Sequence, residues 1–392
     1  MDSSAPTSPR RQKWRAVECL ATLGLFFLLL AVPLALVGLG IGRDDAILKN
    51  GEYRLPASRP AMPLDMPAVV AFPWAWEDYW RDAFPFRGPL IHLQAHVRYG
   101  LLGANAPRQI FLKDGFVFGY GAINAYRGKS GWSDGEVDDF LEILRRKHEF
   151  FRRRGVAYYF VLAPSREGFY RDLFQGVFHL PEKHALKAKI EARMAPEIRR
   201  FFILPDETMQ AARARYPDRP LFYKRDNHWN QWGRAVAASA IVRFLQADFP
   251  QLPALDPAAI PFVAAPEDES YWANLRLLGL DFDTFPAPMT VMVAPAWTEQ
   301  YERLAAEPNR ATLKLVYASD SFMEILADRS PEILSFASVK RVGGWLELGS
   351  PAASLKVLDE HPDVLLESVD VAGLALGKFY FEVNAPWLES AP

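Results

Sequence analysis

The longest uninterrupted apolar pattern lies near the amino terminus, where no charged residue occurs from Cys19 to Ile41. At about 1.5 Å of rise per residue, such a run crosses a hydrocarbon core of roughly 30 Å, so it predicts a transmembrane helix. Pro33 inside it is tolerable because neighbouring groups in a membrane helix satisfy the freed carbonyl. Residues 43 to 70, with LPASRPAMPLDMP, are rich in proline and alanine and predict an extended linker. PWAWEDYWRDAFPFRGPLIHLQAHVRYGLL then carries aromatic and apolar residues at helical spacing on both sides of Pro85, which predicts two short helices. IFLKDGFVFGY reads as two short strands about a turn at Lys113, Asp114 and Gly115. Ser133 and Glu136 have the spacing of a capping box, and the stripe Val137, Phe140, Leu141, Leu144 and Phe151 continues a helix to near Gly155.

The apolar run VAYYFVLAP predicts a central strand at 156 to 163, buried on both faces of a parallel sheet. A basic helical stretch from Glu182 to Arg200, a strand at FFILP and a short helix from Thr208 to Arg215 follow, and Trp232 to Leu245 is again helical. Residues 248 to 310 are less regular, with a helix at WANLRLLGL and a strand at MTVMVAP. ATLKLVYA is another buried strand, and Ser335 to Val342 and Asp363 to Glu367 read as closing strands. This alternation predicts a three-layer α/β domain with a mostly parallel sheet. Ligands of such sheets bind beyond the carboxyl ends of the strands, where VLAPSRE and LVYASDS both place polar residues.

The chain has 392 residues, half of them apolar, and a formal net charge of −2, enough for one large core or two smaller ones. That balance argues against a nucleic-acid partner, which demands a clustered basic surface. Cys19 is the only cysteine, so an intrachain disulfide and a Cys-based zinc pattern are excluded. Arg10, Arg11, Lys13 and Arg15 precede the apolar run, whereas Arg43 is followed at once by Asp44 and Asp45. The basic side stays cytoplasmic. The division expected is a cytoplasmic tail at 1–15, a transmembrane helix at 16–42 and an extracytoplasmic linker with short helices at 43–105. The alternative is a cleaved signal peptide, whose apolar region is normally shorter and followed by a small-x-small site.

Candidate chemistry centres on YKRDNHWNQWGRA, which sets Asp226 two residues before His228, just ahead of a helix. A histidine acts as general base when a carboxylate on its other ring nitrogen fixes the tautomer and stabilises the imidazolium that forms. A nucleophile for that base is Ser321, at the end of the apolar strand in LVYASDSFMEIL. The same serine also suits a helix N-cap, and its own N–H, near a helix N-terminus, suits an oxyanion. The structural alternative for His228 is a hydrogen bond to a carbonyl. Asp320, next to Ser321, is expected to cap or to face solvent, since neighbours at a sharp turn point apart. Trp229 and Trp232 are expected to pack in the core rather than to stack on sugar rings. His92, His148, His179, His184 and His361 show no metal-ligand spacing, and no metal or cofactor is expected.

WRDAFPFRGPLIHL, IFLKDGFVFGYG, VLAPSREGFY, FYKRDNHWNQWG, YASDSF and PDVLLESV occur here in that order. In this the chain resembles the acetyltransferases of the alginate O-acetylation system, the AlgX and AlgJ type, whose SGNH-hydrolase domain is circularly permuted so that Asp-x-His-Trp precedes the serine. The resemblance covers most of the chain beyond the membrane segment. It implies an SGNH-hydrolase-like catalytic domain at 106–392 and the triad Asp226, His228 and Ser321. It places Arg166 and Tyr170 where the family carries a basic residue and a tyrosine, with Arg166 as a clamp for the carboxylate of an acidic sugar or as a surface charge. The family segment Asp-x-Phe-x-Phe-Arg is Asp82, Phe84, Phe86 and Arg87 here, with a structural role expected. Ser319 stands where the family often has glycine, and Asn274 is a candidate for a further oxyanion donor.

The activity implied is O-acetyl transfer to an exported polysaccharide through an acyl-serine intermediate. A membrane-bound O-acyltransferase would supply the acetyl group. The chain would sit in the inner membrane as a single-pass protein with its catalytic domain in the periplasm. The same triad with water as acceptor would make a carbohydrate acetylesterase. A third reading is a glycan-binding scaffold with a decayed site, for which Ser319 is the sole support.

Overall fold

The computed structural model describes residues 9–42, 55–102, 110–113, 116–119, 123, 132–174, 185–224, 226–252, 256–260, 262–266, 290–293, 313–322, 336–343, 345–376 and 379–389. The expected helix at WANLRLLGL, Asn274, His179, His184 and the continuation of the FMEIL helix past Phe322 lie outside these. The described residues fall into two compact units, one ending at residue 102 and the other beginning at residue 110.

In the first unit, α1 (Pro9–Gly38) is continuous through Pro33, and within it Val17–Gly38 is apolar and long enough to cross a membrane. A second helix, α2 (Met66–Ala83), starts inside the stretch expected to be linker. Asp65 explains the early start: its side chain accepts the Ala68 N–H at 2.7 Å, and Pro67 follows in the first turn, where a missing N–H costs nothing. After α3 (Arg87–Ala95) the chain runs on in a wider π turn, His96–Leu101. Asp82 is buried and accepts the Ala57 N–H at 2.8 Å, a structural role. Phe84 and Phe86 remain exposed, so the aromatic positions of this segment do not form a core within the unit.

The second unit opens with the hairpin strands β1 (Ile110–Lys113) and β2 (Phe116–Gly119), paired antiparallel. Ser133 and Glu136 cap α4 (Asp134–Arg152) reciprocally, as their spacing predicts. Next come β3 (Ala157–Ala163), α5 (Arg166–Phe169), α6 (Leu186–Arg193) and α7 (Pro196–Arg199). The single basic helix expected here is broken: Pro196 forces Ala195 into an extended conformation, as residues before proline generally are. Then follow β4 (Phe202–Ile203), α8 (Asp206–Arg215) and α9 (Gln231–Leu245). β5 (Val263–Pro266) pairs antiparallel with β6 (Thr290–Val293). The chain closes with β7 (Lys314–Ser319), β8 (Ser338–Arg341), β9 (Val364–Asp370) and α10 (Val371–Leu376) among its last elements.

The central sheet has the order β4-β3-β9-β7-β8, and every neighbouring pair is parallel. Alternation along β3 shows both faces covered. Tyr158 and Phe160 meet Phe151 and Phe140 of α4, while Tyr159 meets Phe244 of α9 from the other side. Helix, sheet and helix make three layers. On the α4 side a fully buried ion pair joins Lys147 to Glu367 of β9 at 2.8 Å, and Tyr158 and Tyr380 donate their hydroxyls to the same carboxylate. Burial lowers the Lys147 pKa against the opposing pull of Glu367, and raises those of both tyrosines. The chain runs outward from β3 to β4 on one side and from β7 to β8 on the other, so connections diverge around β9. Such a divergence is where an open α/β sheet forms its crevice.

Candidate functional site

Three loops converge beyond the carboxyl ends of the strands. The first follows β7 and carries Ser321, which is exposed. The second spans Leu221 to Asn230 and is folded back on itself: Tyr223 donates to the His228 carbonyl at 3.0 Å and Asn230 to the Leu221 carbonyl at 3.0 Å. Asn230 locks its base by donating to the Pro220 carbonyl at 2.6 Å while accepting the Gly233 N–H at 2.9 Å, which caps α9. Gly233 is required here, because a Cβ would stand 1.9 Å from the Leu221 carbonyl oxygen.

In this loop Asp226 is buried, and its Oδ1 meets both the backbone N–H of His228, at 2.8 Å, and the His228 Nδ1. A carboxylate only accepts, so Nδ1 carries the proton and Nε2 is left with its lone pair. Nε2 lies 2.7 Å from Ser321 Oγ and accepts the hydroxyl proton. Trp229, wholly buried, donates its indole N–H to the Phe322 carbonyl at 3.1 Å, and the Phe322 ring packs at 4.9 Å from the imidazole. Trp232 is buried between Tyr216 and Phe262. Both tryptophans pack rather than present a sugar platform.

Arg166 and Tyr170 stand elsewhere than expected. Arg166, which opens α5 just after β3, is 3 % exposed. Its Nη1 donates to the carbonyls of Tyr223 and Lys224, each at 3.1 Å, and of Asp226, while the guanidinium lies over the Phe118 ring. The Tyr170 hydroxyl is also buried and accepts the Leu221 N–H at 3.1 Å. Both therefore brace the Asp226 and His228 loop from within. A guanidinium engaged by three carbonyls in the core is neither a surface charge nor placed to clamp a solvent-borne carboxylate.

Asp320 does cap, as one of its two expected roles, accepting the Phe322 N–H at 3.1 Å, and it is half-buried. Its second oxygen accepts the Asp370 N–H at 2.6 Å. Burial, and then the neighbouring Asp370 carboxylate, push its pKa up to about 7. Sequence reasoning set this residue aside, and the partner that draws it inward lies fifty positions on, at the end of β9. Ser319 is the last residue of β7, paired in register with Ser368, and has no positive φ. The backbone at this position thus needs no glycine. Among the other histidines, His148 stacks on Phe201 and its Nδ1 lies 3.2 Å from the Tyr158 carbonyl. The described residues contain no cluster that could hold a metal ion.

A cleft of about 500 Å³ opens at the carboxyl ends of β3 and β4, lined among others by Ser165, Gly168, Leu186, Gln210 and Val371. It takes in none of Asp226, His228 and Ser321. A hydroxyl-imidazole-carboxylate line running from an exposed serine to a buried aspartate is suited to nucleophilic acyl transfer.

Residues 126–314 match the family model described as SGNH hydrolase-like domain, acetyltransferase AlgX. The match includes Asp226 and His228 and ends before Ser321. Among curated proteins none matches the sequence. The chain is similar to the O-acetyltransferase domain of Pseudomonas putida AlgJ, at 16 % identity and a TM-score of 0.44 over 71 % of this chain and 99 % of that one. It is similar to Bacillus cereus PatB1 at 12 % identity and a TM-score of 0.47, covering 69 % and 98 %. Likeness to Pseudomonas aeruginosa AlgX is at 15 % identity and a TM-score of 0.34, covering 71 % and 67 %. At scores this low these likenesses carry no weight beside the geometry and the family match.

Proposed function

We propose that this chain, whose residues 126–314 belong to the SGNH hydrolase-like domain family of the acetyltransferase AlgX, moves an acetyl group onto a hydroxyl of an exported polysaccharide through an acyl-Ser321 intermediate. The observation that carries this reading is the 2.7 Å approach of His228 Nε2 to Ser321 Oγ, with Nδ1 held by a buried carboxylate. Nε2 takes the hydroxyl proton as Oγ attacks the acetyl carbonyl, and Asp226 stabilises the imidazolium that forms. The Ser321 N–H, which has no hydrogen-bond partner among the described residues, serves as an oxyanion donor. The Phe322 N–H is already held by Asp320. Collapse returns the proton to the departing donor group and leaves acetyl-Ser321. The glycan hydroxyl then gives its proton to Nε2, attacks the acetyl carbon, and leaves as the acetate ester while Oγ recovers its proton.

The apolar helix Val17–Gly38 and the basic residues before it support a single-pass inner-membrane protein with the second unit in the periplasm, receiving acetyl groups from a membrane-bound O-acyltransferase. A specific observation also favours hydrolysis: Ser321 is exposed, so water can take the place of the sugar hydroxyl. The test is turnover of a chromogenic acetyl ester by Ser321→Ala, His228→Ala, Asp226→Asn and the double variant Ser321→Ala/His228→Ala. Losses on the order of 10³ to 10⁶ are expected, with the double variant little worse than its worse parent. Activity surviving in Ser321→Ala removes the mechanism. Unchanged ester acetate on exported glycans after deletion of the gene, under conditions where it is expressed, removes the acceptor assignment.

A further inference from the structure

Asp320 ties the nucleophile turn to the strand beside it. The chain leaves β7 through Asp320, and the Asp320 N–H points to the Ser368 carbonyl of β9 at 3.4 Å. Its carboxyl bridges two backbone amides, one next to Ser321 in the chain and one at the end of β9: Oδ1 holds the Phe322 N–H and Oδ2 holds the Asp370 N–H. Asp370 is itself fixed, since its Oδ1 accepts the Gly373 N–H at 3.0 Å at the start of α10. A Cβ at Gly373 would come within 2.6 Å of the Asp370 carboxylate, so the helix start leaves that carboxylate little room. The line from α10 through Asp370 and Asp320 to Phe322 therefore sets where Ser321 points.

Resting on the acyl-Ser321 reading, we propose that Asp320 is a positioning residue whose ionised carboxylate both fixes the Ser321 turn against β9 and favours the imidazolium of His228 during acylation. An anion accepts both amides fully, whereas a protonated carboxyl weakens one of them. Among the described residues, the charged groups that act on it are the Asp370 carboxylate, at the end of β9, and His228, on the opposite loop. Asp370 opposes its ionisation and His228 assists it. Because burial and Asp370 hold its pKa up at about 7, Asp320 changes charge near neutral pH. Its ionisation then contributes to the rising limb of the acylation profile.

The experiment measures kcat and KM for a neutral chromogenic acetyl ester from pH 5 to pH 9 in the full chain, its Ser321→Ala control, Asp320→Asn and Asp370→Asn. An asparagine at 320 keeps one acceptor oxygen but turns an amide N–H₂ toward the other backbone N–H. The expected result for Asp320→Asn is a kcat about tenfold or more below that of the parent, with KM nearly unchanged and a limb reduced to about one-proton steepness. Asp370→Asn keeps an acceptor for the Gly373 N–H, removes the opposing charge, and should move the Asp320 component to lower pH. Two results overturn the inference: an Asp320→Asn limb with the parent's shape, or an Asp370→Asn limb that stays in place. If Asp320→Asn fails to fold, the Asp370→Asn shift decides alone. Activity in the Ser321→Ala control would instead remove the acyl-serine reading itself, so the two failures are distinguishable.

Discussion

Replacing Arg166 separates two roles that the sequence leaves open. The Nη1 nitrogen carries two hydrogens, so the carbonyls of Tyr223, Lys224 and Asp226 share the equivalent of two charge-assisted hydrogen bonds. Bonds of this kind contribute about 1.5 to 3 kcal/mol each, and water replaces part of what is lost, so Arg166→Met should destabilise the unit by about 3 kcal/mol. A larger effect is expected on turnover. The same carbonyls belong to the loop that carries His228, and a displacement of about 1 Å in a catalytic group lowers the rate on the order of 10²-fold. Arg166→Lys should lie between the parent and Arg166→Met, because an ammonium lacks the planar fork that reaches several carbonyls together. The assay compares a neutral chromogenic acetyl ester with an acidic glycan acceptor. A loop brace lowers kcat on both alike, with KM nearly constant. Parent-like turnover of the neutral ester combined with lost use of the acidic glycan would refute the brace and restore the carboxylate clamp.

Three further outcomes follow from the packing. Lys147→Met leaves the Glu367 carboxylate buried without its cation and should cost about 3 to 5 kcal/mol, read by denaturant unfolding, whereas removing both charges in Lys147→Met/Glu367→Leu should recover much of that loss. Gly233→Ala should lower expression or the melting temperature sharply, since its Cβ meets the Leu221 carbonyl oxygen, which the Asn230 N–H holds in place; a parent-like melting temperature would mean that the loop 221–230 is not so fixed. Asp320 predicts a pH dependence of stability: between its usual range near pH 4 and its folded value of about 7, the folded chain keeps a proton that the unfolded chain has released. That contribution is full below about pH 4 and is lost as pH rises to about 7, and Asp320→Asn should flatten this part of the unfolding curve.

The parts of the fold that were legible are those in which one local signal settles the structure. The capping box at Ser133 and Glu136, the apolar run of β3 and the Asp226-x-His228 spacing each act within a few residues, and each appears where its chemistry puts it. What stayed hidden depends on distant segments. β9 is the last strand among the described residues yet sits at the centre of the sheet, and its backbone N–H at Asp370 draws the Asp320 carboxyl inward. No property of the sequence around Asp320 carries that information: the turn itself predicts a cap or a solvent-facing residue, and the cap is what the structure shows. Arg166 follows the same logic. A basic residue just past a strand end reads as a ligand-facing charge, and only the return of the loop 221–230 over it turns three carbonyls toward the guanidinium. In both cases a charged side chain beside the candidate nucleophile or base is used inward, to hold a loop, rather than outward, to hold a substrate. For Arg166 the sequence suggests a ligand carboxylate or solvent as partner, while the partner present is backbone from another part of the same fold. If the proposed glycan transfer holds, acceptor selectivity is expected from side chains other than these two, and the open cleft beside Ser165 and Val371 is where substitutions that change acceptor preference without changing turnover of a small ester should be sought.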